Sequence, residues 1–131
     1  NDENTSKTLP NSTTIVTKDK DNIIKHIIYF DFDKSNLTKV SLEEINNFLK
    51  LNKDKIREYL VVGHTDTKGT DEYNQKLSLE RALTVQDLLI INGINKHKIK
   101  ILAKGESELA YKTLDEIKHP ANRRVEISKI N

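Results

Sequence analysis

Beyond residue 22 the apolar positions fall into two kinds of run, short β-branched stretches and longer stretches at helical intervals. The first run, residues 23–32, reads Ile-Ile-Lys-His-Ile-Ile-Tyr-Phe-Asp-Phe and predicts a strand. A polar cluster with turn character follows at residues 31–36. Ser41-Leu-Glu-Glu44 then has capping-box spacing, and Leu42, Ile45, Phe48 and Leu49 recur at helical intervals, so a helix is expected from Ser41 to about Asn52. Tyr59, Leu60, Val61 and Val62 predict a second strand, running into Gly63 and His64. A second helix should bury Leu79, Ala82, Leu83, Val85, Leu88 and Leu89 and stop at Asn92-Gly93. A third strand is centred on residues 99–103. After a polar loop over residues 105–121, with one helical turn expected at residues 113–117, the alternation of Val125, Ile127 and Ile130 with charged residues predicts a last strand.

The order strand-helix-strand-helix-strand-loop-strand predicts an α+β fold: a two-layer α/β sandwich with a mixed four-stranded sheet and both helices packed on one side. Right-handed crossovers would make the first three strands parallel and allow the last to run antiparallel. Residues 1–22 are polar, with Leu9, Ile15 and Val16 the only large apolar side chains, and read as a flexible N-terminal tether ahead of one domain over residues 23–131.

The composition narrows the chemistry. The 22 Lys and Arg nearly balance 20 Asp and Glu, so the net charge of +2 supplies no field to hold a nucleic-acid backbone. Absence of cysteine excludes disulfides and thiolate chemistry. There is no apolar run long enough for a membrane span. A chain opening with Asn1 rather than Met suggests a processed product whose targeting segment lies upstream.

Polar chemistry is concentrated in residues 63–82, GHTDTKGTDEYNQKLSLERA, where a strand passes through a loop into a helix. Asp66 on the loop and Arg81 on the helix, with Asn74 between them, suit a ligand carrying both an ammonium and a carboxylate. They equally suit a simple ion pair that fixes the loop. His64, Asp66 and Asp71 lack a metal-site pattern, and neither Ser78 nor Ser35 sits in a nucleophile-elbow motif, so neither metal nor cofactor is expected. Arg123 and Arg124 open the last strand pointing to opposite faces; one can support a site while the other is solvated. Lys96, Lys98 and Lys100 read as edge lysines without a ligand.

Three separated strings, YFDFDKSNL, GHTDTKGTDEYNQKLSLERA and NRRVEI, together resemble the OmpA-like C-terminal domain that binds peptidoglycan. Within that family, YFDFDKSNL and GTDEYN are most similar to the peptidoglycan-associated lipoproteins of the Tol system, although Thr65-Asp66-Thr67 stands where those more often have Ala-Asp-Glu. The resemblance implies a non-enzymatic periplasmic anchor, tethered to the outer membrane through a segment upstream, that grips the diaminopimelate of the cell-wall stem peptide. On matching positions, Asp66 would take the ammonium and Arg81 the carboxylate. Asn74 and Asp31 would line the pocket, and Thr65, Leu77 and Arg124 would lie near it. Tol-system proteins are a further implied partner. A Tol-type interaction module, and a cell-wall hydrolase using His64 with Asp66 or Asp71, are the alternatives.

Overall fold

The computed structural model describes residues 13–16, 24–52 and 57–130. In chain order these form β1 (Thr13–Val16), β2 (Ile24–Tyr29), α1 (Lys39–Asn52), β3 (Glu58–Gly63), α2 (Asp71–Ile91), β4 (Ile99–Ala103) and β5 (Arg124–Ile130). Short 3-10 turns at Lys96–Lys98 and Pro120–Asn122 precede the last two strands. The helical turn expected at residues 113–117 is therefore displaced to Pro120, whose fixed φ suits the start of a turn. Lys96 and Lys98 belong to the first 3-10 turn, which leaves Lys100 on the edge strand β4.

The sheet runs β1-β2-β5-β3-β4. β5 lies between β2 and β3 and is antiparallel to both, while β3 and β4 are parallel. β2, β3 and β4 consequently share one direction, as the crossover argument expects, and β5 opposes them, the sense its loop connection allows. The four expected strands are joined by a fifth. β1 pairs antiparallel with β2, Thr13 opposite Ile27 and Val16 opposite Ile24, so part of the expected tether is a sheet edge. The remainder of residues 1–22 lies outside the described residues.

Both helices cover one face. Ile28 of β2, Tyr59 and Val61 of β3, Ile99 of β4 and Val125 and Ile127 of β5 meet Ile45, Phe48 and Leu49 of α1 and Ala82, Val85 and Leu89 of α2 in one core. Each Val, Leu, Ile or Phe among them contributes about 1.5–3 kcal/mol by leaving water. Helix starts are local. Thr38 caps α1, its Oγ1 accepting from the Ser41 N–H at 3.1 Å, so the helix begins ahead of the expected Ser41 cap. Thr70 does the same for α2, accepting from the Tyr73 N–H at 3.1 Å, with Asp71 and Glu72 at the positive end of the helix dipole. Gly93 (φ 96°) ends α2 as expected.

The buried side of α2 differs from the expected leucine stripe. It comprises Asn74, Leu77, Ser78, Arg81, Ala82, Val85, Gln86 and Leu89, whereas Leu79 and Leu83 are exposed. Polar groups thus fill the N-terminal half of the inner face, where the helix meets loops instead of strands.

Candidate functional site

β2, β3 and β4 all end on one edge of the molecule, where β5 begins. The loops leaving them, residues 30–36, 64–70 and 104–123, converge there against the first turns of α2. A ligand position beyond the carboxyl ends of parallel strands is the usual one for an α/β sheet. Gly63 makes the approach possible: a Cβ there would lie 1.9 Å from the Ser78 carbonyl oxygen, so only glycine lets α2 sit this close to β3.

Arg81 ties the first two loops together. Although fully buried, it donates from Nε to the Lys34 carbonyl (2.8 Å), from Nη1 to the His64 carbonyl (3.0 Å) and from Nη2 to the Asp31 carbonyl (3.1 Å). Its guanidinium carbon lies 5.3 Å from the centroid of the Phe30 ring. Burial pushes its pKa down to about 10, against the opposing pull of Asp66, and it stays charged at neutral pH.

The carboxylate of Asp66 is held separately. Oδ1 accepts from the Lys68 N–H (3.2 Å), and Oδ2 accepts from the His119 N–H (3.1 Å) and from Arg123 Nη1 (3.4 Å). Its ion pair is with Arg123, both side chains under 5 % exposed, and not with Arg81. Arg123 also donates from Nε to the Phe30 carbonyl at 3.0 Å. The simple Asp66–Arg81 bridge left open by the sequence is absent among the described residues.

Asn74 braces the second loop, donating to the carbonyls of Asp66 (3.3 Å) and Lys68 (3.1 Å) and to Glu106 (2.9 Å). Burial raises the Glu106 pKa, with Asn74 opposing the shift and Asp71 adding to it. Thr65 is buried and donates to the Asp66 carbonyl at 2.9 Å. Thr67 fastens the long loop to the site: its Oγ1 donates to the Leu114 carbonyl (2.7 Å) and accepts from the Ile117 N–H (2.9 Å).

These contacts border a small, partly open pocket with enclosed space of about 10 Å³, room for roughly one water, into which Thr65, Asp66, Asn74, Leu77 and Arg81 all open. Of the seven residues expected from the sequence, those five come together. Asp31 takes part through its carbonyl on Arg81; its side chain is exposed, and the acid lining the pocket from that loop is Asp33. Arg124 lies elsewhere. It points to the opposite face of the sheet, where it bonds Glu126 (2.8 Å) and the Glu108 carbonyl (3.2 Å). Burial opposes ionisation of Glu126, but hydrogen bonds from Lys25 and Arg124 outweigh it and hold its pKa lowered.

The arginine that reaches the pocket is Arg123, and alternation could have found it: it shares parity with the inward Val125 and Ile127. Phe32, Lys68 and Tyr73 also line the pocket and carried no distinguishing sequence signal.

His64 is buried behind the sheet, 3.8 Å from Glu126, and not in the pocket. Burial and the neighbouring Arg124 lower its pKa to about 4 despite Glu126, so it is neutral at pH 7. An imidazole so placed cannot exchange a proton with a ligand at Asp66. Among the described residues no group of three His, Asp or Glu is placed to hold a metal, and no helix is long and apolar enough to cross a membrane.

Residues 29–123 match the model of the OmpA family. The chain is 32% identical over 101 residues to a peptidoglycan-associated lipoprotein of Pseudomonas aeruginosa, covering 77% of this chain and 60% of that protein. It is 37% identical over 106 residues to outer membrane porin F of Pseudomonas fluorescens, covering 77% of this chain and 31% of that protein. The match thus spans less than two thirds of these curated relatives. Among solved structures, the OmpA-like domain of FopA1 from Francisella tularensis superposes with a TM-score of 0.71 at 25% identity, over 92% of this chain and 83% of that one. The peptidoglycan-associated lipoprotein of Burkholderia pseudomallei gives 0.65 at 28% identity, over 79% and 88%. With the family's strings gathered at one pocket and its model matched over most of the folded chain, the protein belongs to the OmpA family.

Proposed function

We propose that this domain binds peptidoglycan non-covalently by enclosing the zwitterionic end of diaminopimelate in its stem peptide, and so anchors an outer-membrane protein to the cell wall from the periplasm without turning the wall over. One observation carries the reading: Asp66 and Arg81 are buried, open into one pocket and are satisfied by separate partners. A carboxylate has about four acceptor sites, and three on Asp66 are filled, which leaves room for one ammonium N–H. A guanidinium has five N–H groups, and Arg81 gives three to carbonyls, which leaves one on each terminal nitrogen for the two oxygens of a carboxylate. Bonds to charged groups contribute about 1.5–3 kcal/mol each, so a few of them bind a small polar ligand modestly. Tethering to a membrane beside the wall then raises the effective concentration. A hydrolase is disfavoured by the buried position of His64 behind the sheet and by the exposure of Asp71 on the helix start.

Calorimetric titration with a diaminopimelate stem peptide tests this. Asp66→Ala and Arg81→Lys are each expected to weaken binding by about tenfold or more, one charge-assisted bond's worth. The same peptide with lysine in place of diaminopimelate lacks the carboxylate and should lose a similar factor on the unaltered protein. Equal affinity for the two peptides, together with full binding by both variants, would overturn the proposal.

A further inference from the structure

The loop between β4 and β5 carries an aromatic surface that the pocket chemistry leaves unused. Tyr111 is 58% exposed, and its ring lies flat on His119 with centroids 4.2 Å apart and planes 11° from parallel. The stack is firmly mounted. The Tyr111 N–H donates to Asn122 Oδ1 and its carbonyl accepts from Asn122 Nδ2, both at 2.8 Å, and Asn122 is fully buried. His119 Nδ1 accepts from the Ala121 N–H at 3.2 Å, while the His119 N–H donates to Asp66 Oδ2 at 3.1 Å. One backbone bond therefore separates the stack from the carboxylate of the pocket. A second ring on the rim, Phe32, is already covered by Lys118, whose Nζ sits 4.2 Å from its centroid. Among the described residues, no cation covers the outer face of the exposed Tyr111 ring.

We propose that this face is a glycan subsite, on which a pyranose of the peptidoglycan strand stacks while the stem peptide occupies the pocket; the inference rests on the reading of the pocket given above. A pyranose presents axial C–H groups on a flat apolar face, and an aromatic face is electron-rich, so the two match in shape and in polarity. Holding the Tyr111 backbone on Asn122 and its ring on His119 lowers the side-chain ordering cost that binding would otherwise carry. Reach also fits. At about 3.3–3.6 Å per residue, a stem peptide keeps a sugar within roughly 10 Å of a residue two or three places along it.

The test compares two probes on the full chain: the free stem peptide, and the same peptide attached to its disaccharide. The unaltered protein is expected to bind the disaccharide-peptide about fivefold more tightly, an aromatic contact's worth. Tyr111→Ala should remove that advantage and leave free-peptide affinity unchanged, and Tyr111→Phe should retain it. Equal affinity of the unaltered protein for the two probes would overturn the subsite, as would a Tyr111→Ala variant that keeps the advantage or weakens both probes alike. Failure of the pocket reading looks different: disaccharide-peptide binding that survives Asp66→Ala but falls with Tyr111→Ala keeps the subsite and rejects the clamp.

Discussion

Two adjacent arginines have opposite roles because a strand sends successive side chains to opposite faces. Arg123 is the buried partner of Asp66, and Arg124 pairs with Glu126 behind the sheet. Removing one member of a buried pair leaves the other charge uncompensated. Arg123→Met is therefore expected to destabilise the fold by about 3 kcal/mol, read from the urea midpoint. Arg124→Met should leave stem-peptide affinity within about twofold, since surfaces away from a site couple weakly to it. A loss matching that of Asp66→Ala would place Arg124 in the site after all. Parity alone made Arg123 readable from the sequence. That Asp33 borders the pocket while Asp31 meets Arg81 through its carbonyl was not readable, because it depends on how the turn after β2, with Asp33 at φ 59°, is seated against α2.

α2 shows how an element can be placed correctly and oriented only partly. Its N-terminal loop, its Gly93 stop and its general position follow from local signals, whereas its buried face takes in Asn74, Ser78 and Arg81 and leaves Leu79 and Leu83 to solvent. A leucine count assumes that the helix packs only on apolar surface. Here its first half packs on loop carbonyls, which select donors: Arg81 for the Lys34, His64 and Asp31 carbonyls and Asn74 for those of Asp66 and Lys68. Seating depends on Gly63. Gly63→Ala is expected to force α2 off β3, costing about 3 kcal/mol in a denaturant melt and weakening the stem-peptide clamp with it. A variant with unaltered stability would show that the contact relaxes without moving the helix.

At the scale of the whole molecule, two histidines on opposite faces of the sheet set the acid limit. His26 stacks on Phe48 under α1 at 4.4 Å, and His64 lies behind the sheet. Burial lowers each to about 4 from an ordinary 6.5. Between those values the unfolded chain binds the proton and the folded one does not, so stability is full above about pH 6.5 and declines as pH falls towards 4. The slope is about 1.4 kcal/mol per pH unit for each histidine. His64→Gln is expected to flatten the stability curve over pH 4–6.5 by about half of that two-histidine slope, so that the unaltered and variant curves diverge by about 1.4 kcal/mol per pH unit. Parallel curves would mean that folding does not lower the His64 pKa.

Much of this architecture was determined by the sequence alone. Alternation and helical spacing specify the order of elements and leave the last strand free to run antiparallel, and the single string over residues 63–82 places Asp66, Asn74 and Arg81 on one loop-helix junction. Those are local properties, written within a few residues of where they act. Tertiary structure decided the rest: that β1 extends the sheet from within the polar N-terminal segment, that Asp66 pairs with Arg123 and not Arg81, and that a loop from beyond β4 delivers the His119 N–H to the same carboxylate. Periodicity states which residues share a face but not which faces meet, because that depends on packing between segments far apart in the chain. The partners of Arg81 carry no side-chain signature at all, being backbone carbonyls exposed only where two loops end side by side.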